Sequence, residues 1–85
     1  MKAYVYILKC ADNTYYTGYT VDLTRRLKMH NDKKASKYTR GRVPVKYVYT
    51  HECADKIQAQ HFERKIKKFT KEKKEKLIQG LIDLD

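Results

Sequence analysis

An 85-residue chain has room for one small domain with a single modest core, and 20 Lys+Arg against 10 Asp+Glu leave it a formal charge of +10. That surplus favours a polyanionic partner, of which nucleic acid is the commonest. No apolar run approaches a signal peptide or a membrane span, and no helix pairs a broad apolar face with a basic one, so a cytoplasmic protein that stays off membranes is expected.

The first run, "KAYVYILKC", is rich in β-branched and aromatic residues, with Val5 and Ile7 alternating against Tyr4, Tyr6 and Leu8. "TYYTGYT" has the same character, and the polar "ADN" between them predicts a β-hairpin. A helix is expected from near Thr20, which can cap it with Asp22 in the first turn, to about "HND". Residues 32–43, "DKKASKYTRGRV", lack apolar periodicity and read as a basic loop or irregular turn. Pro44 then opens a third strand-like run, "PVKYVYTH". "DKIQ" resembles a capping box that starts a helix near Asp55, on which Ala59, Phe62, Ile66 and Phe69 form one stripe. Thr70 is expected to cap a last helix whose buried face is Leu77, Ile78, Leu81 and Ile82. The expected fold class is α+β, with residues 1–85 as one domain: a small three-stranded antiparallel sheet flanked by helices in the order β-β-α-β-α-α.

Cys10 and Cys53 form no CxxC pair, and "HECADKIQAQH" lacks the paired short spacings of a zinc site. Isolated thiols are therefore expected in preference to a disulfide or zinc ligands.

Polar residues border two of the apolar stripes. At about 100° per residue, Arg26 and His30 lie on the same side of the first helix as Leu23 and Leu27, while Arg25 and Lys28 point elsewhere. Glu63 falls at the edge of the Ala59–Ile66 stripe. Each has an ordinary reading: an Arg reaching to water, a structural His, a carboxylate in helix-surface ion pairs. Together with the tyrosines they form a set able to reach one sheet surface. Tyr15, Tyr19, Tyr47 and Tyr49 read as core or sheet-face packing. Lys33, Lys34, Lys37, Arg40 and Arg42, with Tyr38 among them, suit a loop that tracks a nucleic-acid backbone or one that is simply solvated.

The pattern resembles the GIY-YIG endonuclease superfamily, in the form of a small stand-alone member. "YVY" (Tyr4 to Tyr6) and "YTG" (Tyr16 to Gly18) stand where the family has its paired tripeptides, Arg26 and His30 follow at the family's spacing, and "AQHFERKIKKF" resembles the helix that carries its metal-binding glutamate, here Glu63. "YTRGRVPVKYVY" resembles the loop and third strand of the small members. Tyr4 replaces the motif Gly and Thr17 the motif Ile, while Tyr6 and Tyr16 remain. The resemblance implies an endonuclease that hydrolyses DNA phosphodiester bonds with one Mg²⁺ or Mn²⁺ bound at Glu63, directed by DNA structure or damage and acting on duplex, branched or nicked DNA in repair or recombination. It implies Tyr6 as general base, Tyr16 as its support, Arg26 as phosphate ligand, and His30 in proton transfer or phosphate holding. Site specificity would come from a protein partner, the chain itself being a monomer or weak dimer. Two other readings fit the charge: a nucleic-acid-binding module of the same fold without efficient cleavage, and a small RNA-associated basic protein.

The chemistry asks for these residue types. Hydrolysis needs a proton acceptor for the attacking water and neutralisation of charge on the phosphate and leaving oxygen. Arg26 offers a permanently charged fork, and one carboxylate suits Mg²⁺. A tyrosine base needs its proton loosened, and Arg26 with its basic surroundings is the expected cause.

Overall fold

The computed structural model describes residues 1–84. Strands β1 (Ala3–Lys9), β2 (Tyr15–Thr20) and β3 (Lys46–Cys53) form one antiparallel sheet in the order β2-β1-β3. The helices are α1 (Leu23–Asn31), α2 (Lys37–Arg40), α3 (Lys56–Lys67) and α4 (Lys71–Ile78). This is the expected α+β fold and order, with one addition: the basic stretch contains the single turn α2, capped by Ser36, whose side chain accepts from the Tyr38 amide.

β1 lies between the other two strands, and its alternating side chains enter two different cores, one on each face of the sheet. Ala3, Val5 and Ile7 join Ala59, Phe62 and Ile66 of α3, with Leu77 and Leu84, in one core. Tyr6, Leu8 and Cys10 pack with Val45 in a second core, against which Tyr16, Tyr47 and the α1 residues Leu23 and Leu27 rest. Cys10 and Cys53 are free, buried thiols in different cores. The hairpin turns through Asn13, whose φ of 67° is a conformation that a short amide side chain tolerates.

The N-cap of α1 is Asp22, not Thr20: the Asp22 side chain accepts from the Arg25 amide at 3.0 Å, while Thr20 ends β2 and its hydroxyl accepts from the Asp22 amide. Asn31 closes the far end by a two-way amide clamp, accepting from Val45 N at 2.7 Å and donating to Val45 O at 3.2 Å. Pro44 follows a cis peptide bond, and the strand proper starts two residues later at Lys46. Asp55 caps α3 by accepting from Gln58 N, and the Gln58 side chain returns to Ala54 N. Thr70 caps α4 as expected.

The last helix departs from its predicted buried face. Gly80, at φ 78°, ends it, with Leu81 N bonded to Lys76 O in a left-handed closing turn. Leu81 is thereby turned outward and is 68% exposed, and Leu84 takes the core position instead. Among the described residues no helix is long and apolar enough to cross a membrane.

Candidate active site

A cleft of about 360 Å³ opens along β2, lined by Tyr6 of β1, Tyr16 and Gly18 of β2, Arg26 of α1, and Lys56 and Glu63 of α3. Alternation along β1 and β2 puts Tyr6, Tyr16 and Gly18 on one face of the sheet. Helix geometry brings Arg26 to the cleft from α1 and Glu63 from α3. Phenol, guanidinium and carboxylate from three elements thus border one hollow.

Tyr6 is only 1% exposed, and its hydroxyl lies 2.9 Å from His30 Nε2. The other ring nitrogen, Nδ1, lies 2.9 Å from the Thr39 hydroxyl. His30 is itself 1% exposed and, unlike Tyr6, does not line the cleft: it stands behind the phenol. Burial, and then Arg26, push its pKa down to about 4, so His30 is neutral at ordinary pH.

The expectation that cations loosen the Tyr6 proton is not met in the free protein. Burial, reinforced first by Tyr16, pushes the phenol well above the usual tyrosine range, and Arg26 opposes this without reversing it. Tyr47, edge-on to Tyr6 at 5.2 Å, donates to Leu23 O at 2.7 Å and is likewise raised by burial, to about 12. Tyr15, Tyr19 and Tyr49 pack against the first core, and Tyr19 also accepts from Gln60 on the cleft's rim.

Glu63 has a side chain 18% exposed and a loose ion pair with Lys67 at 3.7 Å. Among the described residues no group of three or more His, Cys, Asp and Glu side chains stands together. A cation at Glu63 would therefore complete its shell with water and substrate oxygens. That donor set fits Mg²⁺, which keeps several waters and uses one or two carboxylates.

The basic stretch divides in two. Lys33, Lys34, Lys37 and Arg40 are exposed, whereas Arg42 is engaged as a brace: Nε donates to Asp12 at 2.9 Å, a terminal nitrogen donates to Tyr38 O at 2.7 Å, and the guanidinium lies 4.1 Å over the Tyr38 ring. Tyr38 in turn stacks on Tyr16, the ring centroids 5.7 Å apart and the planes 29° from parallel.

The GIY-YIG catalytic domain matches residues 2–76 of this chain. The chain belongs to the GIY-YIG family. UPF0213 protein CPE1444 of Clostridium perfringens is 52% identical over 75 residues, covering 88% of this chain and 81% of that protein. The solution structure of UPF0213 protein BH0048 from Bacillus halodurans is similar at 46% identity and a TM-score of 0.60, over 93% of this chain and 84% of that one. The protein EF2693 from E. faecalis matches at 34% identity and a TM-score of 0.65, over 95% and 86%. The GIY-YIG domain makes the protein a member of a nuclease family, whose nucleases generally depend on a divalent metal.

Two residues at the cleft or behind it, Lys56 and Thr39, were not anticipated from the sequence. Lys56 was legible: it precedes Glu63 by seven residues, two helical turns, and so shares its face. Thr39 was not, because nothing in "SKYTRGR" distinguishes a buried hydroxyl from a solvated one.

Proposed function

We propose that the protein is a divalent-metal-dependent DNA endonuclease, with the cleft between β2, α1 and α3 as its phosphodiester site. The observation that carries this reading is the convergence of Tyr6, Arg26 and Glu63 on one polar cleft, with Tyr6 already bonded to a neutral histidine. Arg26 and Lys56 take the phosphate oxygens, and the outward cations Lys33, Lys34, Lys37 and Arg40 continue the track for the flanking backbone, with Tyr38 exposed among them. Binding should accordingly weaken steeply with salt.

Tyr6 acts as general base by relay. As its oxygen accepts a proton from the attacking water, its own proton passes to His30 Nε2, so the buried phenolate never has to form as a free anion. Substrate favours this transfer, because a phosphate on Arg26 offsets the cation that helps keep His30 neutral. Tyr16, less buried than Tyr6 and edge-on to His30 at 5.3 Å, positions the water. Glu63 would hold the metal, Mg²⁺ or Mn²⁺, which when bound supplies positive charge to the leaving oxygen.

The test is incubation of labelled duplex, nicked, branched and single-stranded DNA, and matched RNA, with protein and Mg²⁺ or Mn²⁺, beside samples containing chelator. Metal-dependent cleavage of DNA supports the proposal. Binding with no cleavage of any substrate would leave a binding module, and cleavage confined to RNA would reassign the substrate.

A further inference from the structure

We propose that Thr39 is a positioning residue that fixes His30 in the tautomer able to accept the Tyr6 proton. The consequence for cleavage rests on the nuclease reading, but the placement of the proton does not. Thr39 lies on the single-turn helix α2, in the most basic stretch of the chain, yet it is 0% exposed. Its hydroxyl has two neighbours: Ser36 O at 3.3 Å and His30 Nδ1 at 2.9 Å.

The donor roles follow from what each group can do. A carbonyl oxygen only accepts, so the Thr39 proton is directed to Ser36, and the Thr39 oxygen is left to accept. The His30 nitrogen facing it must then carry the hydrogen, Nδ1–H donating to Thr39. A neutral imidazole has one N–H, so Nε2 presents its lone pair to Tyr6, and the phenol donates. In the opposite arrangement Thr39 would abandon Ser36 to donate to Nδ1, Nε2 would carry the hydrogen, and the Tyr6 oxygen would accept it. With His30 1% exposed, water does not compete for either nitrogen and the protein neighbours decide.

The α2 turn is braced to hold this orientation. Ser36 caps it through the Tyr38 amide at 3.1 Å, Arg42 N bonds to Thr39 O at 2.9 Å, and Tyr38 is clasped between Arg42 and Tyr16. The stretch that reads as a charged loop therefore has an inner side that serves the cleft and an outer side that faces solvent.

Long-range ¹H–¹⁵N spectra of ¹⁵N-histidine-labelled protein at neutral pH read the tautomer directly, in wild type, Thr39→Val and Thr39→Ser, beside cleavage kinetics. Wild type and Thr39→Ser should show His30 protonated at Nδ1, and Thr39→Val should populate the Nε2–H form. In Thr39→Val, kcat should fall roughly 10²-fold with KM within about twofold, the scale of a misplaced acid–base group, and serine should restore it. Nε2–H in wild type, or an unchanged spectrum and kcat in Thr39→Val, would overturn the assignment. Should wild type cleave nothing, the nuclease reading fails and the spectra alone judge Thr39.

Discussion

Gly18 faces Tyr6 across the β1–β2 ladder, and a Cβ at Gly18 would stand 2.6 Å from the Tyr6 oxygen and 2.8 Å from Cζ. The phenol lies over the glycine backbone, which is how it meets His30. In Gly18→Ala the ring has to move, and the ring cannot move without stretching that bond. Urea denaturation should show a loss of about 1–3 kcal/mol, the usual scale of overpacking, accompanied by a large drop in cleavage. An alanine variant of full stability and activity would mean that the tyrosine has another place to lie.

Thr17 occupies the motif position where the family carries isoleucine, and it points to the other side of the sheet. Its side chain is buried, and its hydroxyl finds no hydrogen-bond partner among the described residues. Thr17→Val keeps the shape and removes the stranded hydroxyl, so it should stabilise the fold by about 1 kcal/mol and leave cleavage unchanged. Chemical denaturation and a cleavage assay on the same preparation check both halves.

His30 makes stability depend on pH. Its folded pKa of about 4 lies below the ordinary value of 6.5, so between these values the unfolded chain binds more protons. Stability from this residue is complete above about pH 6.5 and is lost as the pH falls to and through 4, about 3 kcal/mol in all. The difference between the wild-type and His30→Gln stability curves should show this step. A constant difference across that window would contradict a neutral buried His30.

Lys33 closes α1 at a φ of 65°, a left-handed position that glycine adopts without strain. Lys33→Gly should therefore raise stability by up to about 1 kcal/mol. If Lys33 meets a phosphate, the same change lowers DNA affinity and flattens its salt dependence. Denaturation and salt-titrated binding separate the two effects.

The three strands, their order along the chain and three of the helices were legible because alternating and helical apolar periods are strong in this chain, and the caps at Asp55 and Thr70 follow local rules. That Tyr6, Arg26 and Glu63 lie near one another, with His30 against Tyr6, was legible because motif spacing and helix angle pointed the same way. What escaped depended on long-range geometry or on competition between neighbours. Thr20 and Asp22 are both able caps, and only the end of β2 decides between them. Leu81 fits the apolar stripe of α4, but Gly80 stops the helix first. The effect of Arg26 on Tyr6 was read correctly in sign and overestimated in size, since sequence does not reveal how deeply the phenol is buried.

The convergence of Tyr6 and Glu63 on one phosphodiester site is tested by single-turnover cleavage and equilibrium binding of the same labelled DNA by wild type, Tyr6→Phe and Glu63→Gln in Mg²⁺ or Mn²⁺. It predicts that both variants bind within a few-fold of wild type while cleavage falls by about 10²-fold or more in each, the range for removing a general base or a charge-stabilising group. Wild-type rates of cleavage in either variant would contradict it.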